Sequence, residues 1–301
     1  MSEFTWAGVM PAITTPFTEN DEVDHEFLAR HAQWLVDHGG TAIIPFGSLG
    51  EGATLEWDER AACLETLVGA VGDRVPVIPA ISALSTRAAV GLAQMAVDTG
   101  CRGMMVLPPY VHKGDWRENR AHFAAVFQAT ELPCMLYNNP IAYGVDVLPE
   151  QMVDLAESFD NLVAMKDSGG DHRRITANNA LLGDRIALFA GLDDMPVEAV
   201  AAGAVGWVAG LVNALPAESM ELFRRATAGE WDAAFELYHW HLPLLRLDCV
   251  PEFVQLIKLV QQEVGMGSER VRPPRLTIEG AERERVIELV RTSLATNPLN
   301  S

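Results

Sequence analysis

Three lysines stand against nineteen arginines in this chain of 301 residues, and one of them, Lys166, ends a short apolar run at residues 162–165 in the segment NLVAMKDSGGD. Arginine keeps its proton inside proteins, whereas lysine can give it up. An apolar strand that delivers one amine to its own end suits a Schiff-base nucleophile, because desolvation favours the neutral amine. The plainer reading is a lysine that caps a strand. Three other segments carry polar groups of comparable interest. Gly47-Ser48-Leu49-Gly50-Glu51 offers backbone N–H groups and one hydroxyl to a small anion, since glycines let a ligand approach the main chain; it also reads as an ordinary turn. Tyr137-Asn138-Asn139-Pro140 presents a phenol able to carry a proton, or simply to pack. Gly191-Leu192-Asp193-Asp194 holds carboxylates that accept from substrate hydroxyls or cap a helix starting near Met195.

The elements that must position these groups alternate along the chain. Apolar runs at 8–14, 41–46, 75–80, 103–107, 134–137, 162–165, 186–190 and 204–209 read as strands. Stretches of helical period lie between them, at 24–37, 58–71, 86–99, 119–130, 149–158, 172–182, 195–202 and 216–227. Near-continuous apolar strands fit burial on both faces, and helices of that length serve as crossovers between parallel strands. The pattern predicts an α/β chain of the (β/α)8 TIM barrel class, with three additional C-terminal helices at 230–247, 251–264 and 278–295. The expected division is a catalytic barrel over 1–227 and a C-terminal helical extension over 228–301, packed on the barrel. A doubly wound open sheet is the alternative, but Pro16-Phe17-Thr18 offers no Gly-rich dinucleotide loop after the first strand. Barrel chemistry gathers at the C-terminal ends of strands. All four segments fall there, after strands two, five, six and seven.

Composition narrows the partners. The net charge is −19 and no stretch is basic, which argues against nucleic acid and an anionic membrane surface. No apolar run approaches ~18 residues, and the first eight residues lack a basic start followed by an apolar run. Cys63, Cys101, Cys134 and Cys249 form no CxxC pair, as expected of a reduced cytoplasmic chain. An acidic protein repels small carboxylates, so an acid substrate needs local N–H groups or hydroxyls. His239 and His241 alternate and do not share a helix face, so no metal site is expected. Glu51 is expected to brace the glycine turn from behind. Tyr143 either lines the pocket entrance or packs. Arg173 and Arg174 either temper the acidic field or sit on a solvated helix face.

The 47–51 loop, Tyr137-Asn138-Asn139-Pro140, Lys166, Gly191-Leu192-Asp193-Asp194 and Ala209-Gly210-Leu211-Val212-Asn213 together resemble the dihydrodipicolinate synthase / N-acetylneuraminate lyase superfamily. The resemblance spans nearly the whole predicted barrel. It implies a class I, lysine-dependent lyase or dehydratase, built as a (β/α)8 barrel with extra C-terminal helices and assembled as a homotetramer (a dimer of dimers). It makes Lys166 the Schiff-base lysine and Tyr137 the proton shuttle. Ser48 and the N–H of Leu49 would hold the keto-acid carboxylate, and Gly191 would line the pocket. Three departures stand out. Ala142 replaces the arginine that grips the second carboxylate in the synthases, Leu49 replaces the second hydroxyl residue of their loop, and Val111 replaces the tyrosine a neighbouring subunit lends to their proton relay.

Longer runs are similar to the Δ1-pyrroline-4-hydroxy-2-carboxylate deaminase branch of hydroxyproline catabolism. These are Lys166 through Arg174, Leu188 through Asp194, Leu242 through Asp248, and Arg272-Pro273-Pro274-Arg275-Leu276. That resemblance implies conversion of 1-pyrroline-4-hydroxy-2-carboxylate to 2,5-dioxopentanoate and ammonia. Asp193 is the candidate for holding the C4 hydroxyl, and the base at C3 is unassigned. No metal and no organic cofactor is expected, because the covalent Schiff base with Lys166 supplies the electron sink. The partner is a small keto or imino acid. Two alternatives remain: a dihydrodipicolinate-synthase-like aldolase or sugar-acid dehydratase using pyruvate-type substrates, and a non-catalytic keto-acid-binding barrel.

Overall fold

A computed structural model describes residues 4–300, so the part of the N-terminal reading on residues 1–3, and residue 301 of the extension, lie outside the described residues. Seven short strands form one parallel sheet: β1 (Gly8–Pro11), β2 (Ala80–Ile81), β3 (Met104–Val106), β4 (Cys134–Asn138), β5 (Leu162–Asp167), β6 (Ala187–Ala190) and β7 (Gly206–Ala209). Their order is β1-β7-β6-β5-β4-β3-β2. Residues 41–46, expected as a full strand, join the two ends of that sheet through single bridges instead, Ala12 to Ile44 and Ile43 to Val77. The main-chain bonds that close the ring include Ile44 N to Pro11 O (2.9 Å), Ile78 N to Ile43 O (2.9 Å) and Ala80 N to Pro45 O (2.9 Å). The expected strand at 75–80 is likewise reduced to the Val77 bridge and β2. Proline explains both: Pro45, Pro76 and Pro79 have no N–H to give, so the ladder thins on this side.

Helices follow the strands on the outside: α1 (His25–Asp37), α2 (Trp57–Val71), α3 (Thr86–Asp98), α4 (Trp116–Gln128), α5 (Pro140–Tyr143), α6 (Pro149–Ser158), α7 (Arg173–Leu182), α8 (Pro196–Ala201) and α9 (Pro216–Thr227). Helix α4 begins three residues before the expected start, because Asp115 and Glu118 form a reciprocal capping box. The four-residue α5 escaped the periodicity reading, being too short to show one. Asn139 caps it, Pro140 sits in its first turn and Gly144 ends it at φ 70°. Three further helices complete the described chain, α10 (Trp231–Leu245), α11 (Phe253–Glu263) and α12 (Gly280–Ala295).

The ring is filled by its own side chains. Trp207 is fully buried, and the Phe189 ring lies where a Cβ on Gly206 would stand, so β6 and β7 meet closely only because residue 206 is glycine. Trp6 meets Phe189 edge to face at 6.4 Å, with apolar packing continuing below. The opposite end is where polar groups gather. Among the described residues, no helix is long and apolar enough to cross a membrane.

Candidate active site

Parallel register sets the centre of the site. Tyr137 pairs with Lys166 across β4 and β5, and Lys166 pairs with Phe189 on β6. Adjacent strands lie under 5 Å apart, so the amine and the phenol share one small space. Lys166 is 7 % exposed, and its Nζ stands 4.2 Å from the centre of the Tyr137 ring. No hydrogen bond or ion pair holds that nitrogen among the described residues, which leaves it free to react. The Tyr137 hydroxyl accepts from Asn139 Nδ2 at 3.0 Å and from Ser168 Oγ at 3.3 Å. The other two lysines are placed differently: Lys113 is exposed, and Lys258 is buried in an ion pair.

Gly191 keeps the amine in place by what it lacks. A Cβ there would meet the Asp167 carbonyl at 2.7 Å and Lys166 Cε at 2.9 Å, and would overlap the Ser168 hydroxyl. Behind the strand ends, Asn138 fixes the next residue. It donates to Asp167 at 3.0 Å and accepts from Val147 N at 2.9 Å. Burial pushes the Asp167 carboxyl above its ordinary range, against the pull of Asn138. Arg174 grips Asp146 through both nitrogens, at 2.7 and 2.5 Å, and also reaches Val147 O. It is therefore a brace for this corner, not a solvated residue, whereas Arg173 is exposed and pairs with Asp171.

The 47–51 loop forms the second wall. The N–H groups of Ser48, Leu49 and Gly50 have no protein acceptor among the described residues, and Gly47, Ser48 and Leu49 all line the cavity. Phe46 and Glu51 both adopt left-handed backbone, at φ 67° and 53°, a conformation that costs a non-glycine residue ~1–2 kcal/mol. The loop is held in that shape from behind. Glu51 accepts from Lys258 Nζ at 2.5 Å and from Arg272 N at 3.0 Å, and both cations stand over the Phe17 ring. In front, Ser48 Oγ bonds the Tyr143 hydroxyl at 2.5 Å. Tyr143 comes from α5 and is buried, its ring edge-on to Tyr137 at 5.8 Å and to Tyr110 at 5.6 Å. Burial, together with those two phenols, pushes its hydroxyl above the ordinary phenol range. It thus stays protonated and can donate to Ser48.

The aspartates depart from expectation. Asp193 is fully buried and does not line the cavity. Its Oδ1 accepts from Trp207 Nε1 at 3.1 Å and Gly210 N at 3.0 Å, and its Oδ2 accepts from Leu211 N at 2.6 Å. A carboxylate so occupied ties β6 to the end of β7 and has no oxygen left for a substrate hydroxyl. Asp194 does line the cavity, accepts from Cys249 Sγ at 3.2 Å, and does not cap α8, which starts from Met195 without a side-chain cap.

These groups surround a cavity of about 590 Å³. Its walls also include Met105, Asn139, Ile141, Ala142 and Ser168, and a stretch from the C-terminal helical region, Asp248 through Pro251. The sequence reading assigned no role to Ser168, Asn139 or Asp248. The first two could have been found from their place in the strand-end segments. Asp248 lies beyond the strands, and nothing in its local sequence marks it.

Residues 5–293 match the dihydrodipicolinate synthetase family. The chain belongs to that family. Its relatives include the 4-hydroxy-tetrahydrodipicolinate synthases of Bartonella bacilliformis, 31 % identical over 92 % of this chain and 94 % of that one, and of Agrobacterium fabrum, 32 % identical over 91 % and 94 %. Among solved structures, a dihydrodipicolinate synthase from Bacillus anthracis superposes with a TM-score of 0.92 at 30 % identity, covering 96 % of this chain and 99 % of that one. One from Aquifex aeolicus superposes at 0.91 with 28 % identity, over 97 % and 98 %. This family member therefore carries a lyase scaffold. The structure also places two residues that the resemblance set apart from the synthases. Ala142 lines the cavity and offers no charge. Val111 stands 83 % exposed with left-handed backbone at φ 68°.

Proposed function

We propose that the chain is a (β/α)8 Schiff-base lyase acting on a small acid with a single carboxylate, with 1-pyrroline-4-hydroxy-2-carboxylate as substrate and 2,5-dioxopentanoate and ammonia as products. The observation that carries this reading is the charge around the cavity. Among the described residues that line it, Lys166 is the one cationic side chain, and Asp194 and Asp248 line it too. A substrate or product with two carboxylates, as the synthase reaction requires, would leave one of them with no cationic side chain to meet it on the cavity wall. A single carboxylate can take the free N–H groups of the 47–51 loop and the Ser48 hydroxyl.

In this reading Lys166 attacks C2 of the cyclic imine, and transimination opens the ring. The protonated Schiff base makes a C3 proton acidic, and its loss expels the C4 hydroxyl as water. Tautomerisation moves the unsaturation to C5, and hydrolysis at C5 and C2 frees ammonia, product and lysine. Tyr137 carries protons between these species. Asn139 and Ser168 orient its hydroxyl, and the bonded pair of Tyr143 and Ser48 stands beside it, the Tyr143 ring edge-on to its own. Residues 1–227 would form the catalytic barrel, residues 228–301 the extension packed on it. The working form would be a cytoplasmic homotetramer, checked by light scattering.

The test is to incubate the protein with the pyrroline acid and follow ammonia, with pyruvate plus aspartate semialdehyde as the contrasting pair. Borohydride should fix the adduct on Lys166, and Lys166→Ala should lose both the adduct and ammonia release while keeping its fold. Synthase turnover without ammonia release would defeat the substrate assignment. An unlabelled lysine would defeat the whole reading.

A further inference from the structure

Asp248 ends the short turn Arg246–Asp248 that follows α10, about eighty residues beyond Lys166 in sequence. It lines the cavity with Lys166, and no hydrogen bond or ion pair reaches its carboxyl among the described residues. Oδ1 is sealed from water without a partner. Such a group is costly to keep, by about 1–3 kcal/mol. It persists here because Gly210 leaves it room: a Cβ on Gly210 would overlap the carboxyl.

Asp193 and Asp248 both come up against Gly210, and two carboxyls so placed cannot both hold charge comfortably; their surroundings decide which does. Asp193 receives three N–H donors. Asp248 receives none. Burial first, and then the charge of Asp193, push Asp248 well above the ordinary carboxylate range, with Asp194 adding to the push and Lys166 opposing it. The result is a carboxylic acid with a proton to give, in the chamber where a hydroxyl must leave.

We propose that Asp248 is the acid that protonates the hydroxyl departing from C4 of the substrate, a role that rests on the reaction assigned above. The step balances without an oxidant or reductant. The C3–H pair becomes the C2=C3 bond of an enamine as that proton leaves. The same pair then forms C3=C4 while the C4–O bond breaks, restoring the iminium. The departing oxygen takes the Asp248 proton and leaves as water, and the carboxylate regains a proton from water as products depart.

The test uses Asp248→Asn with two substrates: the hydroxy imine, and its analogue with chloride at C4, which needs no proton to leave. Loss of a general acid should lower kcat on the hydroxy compound by ~10²–10³-fold, with turnover of the chloride compound within about tenfold of the parent protein. Borohydride trapping of pyruvate on Lys166 should stay within about threefold, since Schiff-base formation does not use this proton. If both substrates slow equally, Asp248 only shapes the site and the proposal fails. Unchanged kcat on the hydroxy compound also overturns it. If the parent protein forms no adduct on Lys166, the underlying reaction falls with it. Asp248→Ser carries the same expectations should the asparagine variant not fold.

Discussion

Gly191→Ala adds one methyl group to the most crowded point of the site. The glycine does not use left-handed backbone, so alanine brings no torsional penalty, and every consequence comes from contact. The new Cβ would stand 2.7 Å from the Asp167 carbonyl and 2.9 Å from Lys166 Cε, where ordinary contact begins at 3.4 Å. Those two contacts fall short by about 0.5–0.7 Å, and the Ser168 hydroxyl, which the methyl would overlap, must move farther still, in an interior with little free volume. The Asp167 carbonyl belongs to β5 and cannot yield cheaply, so the displacement falls on the lysine side chain and on Ser168. A shift of ~1 Å in a reacting group is worth about 10² in rate. Gly191→Ala should therefore slow adduct formation on Lys166 by about ten- to a hundredfold. Overpacking of this kind costs ~1–3 kcal/mol, and a chain of this size loses about 2–4 °C in Tm per kcal/mol. Borohydride quenching at timed intervals, read by mass, gives the rate, and a thermal melt gives the stability. A variant that traps pyruvate at the parental rate would refute the claim that this contact positions the amine.

Two further outcomes follow from buried charge. Glu51→Gln leaves the Lys258 ammonium without its partner and should cost ~3–5 kcal/mol in urea unfolding, with much of that recovered when Lys258→Met is added; a cost below ~1 kcal/mol would mean the pair does not brace the 47–51 loop. Burial drops the pKa of His31 to about 4 and of His241 to about 3. Both are neutral in either state above pH 6.5, but below it the unfolded chain takes up their protons and the folded chain does not, so stability falls with pH from about 6.5 toward 4. His241→Gln should remove about 1.4 kcal/mol per pH unit of that slope; an unchanged acid slope in equilibrium unfolding would count against the assignment.

Much of this molecule follows from local sequence. The alternation of apolar runs with helical periods is a one-dimensional property, and it yields parallel strands with outer helices because each run can bury both faces. The rarity of lysine singles out Lys166, and its place at a strand end puts it beside Tyr137 once neighbouring strands pair in register. What tertiary structure alone decided concerns groups with no local signature. Asp193 looks from sequence like a substrate ligand, and only the three N–H donors that converge on it turn it into a tie between strands. Tyr143 becomes a partner of Ser48, 95 residues away, because a helix too short to show a period turns it inward. The 41–46 run has a strand's composition, yet prolines in its own segment and in the neighbouring one reduce it to two bridges. Asp248 reaches the cavity only because the chain beyond the ring folds back over its polar end. Periodicity reports which face of an element is buried; it carries no information on which distant group will meet that face, and the charge a buried carboxyl holds depends on that meeting.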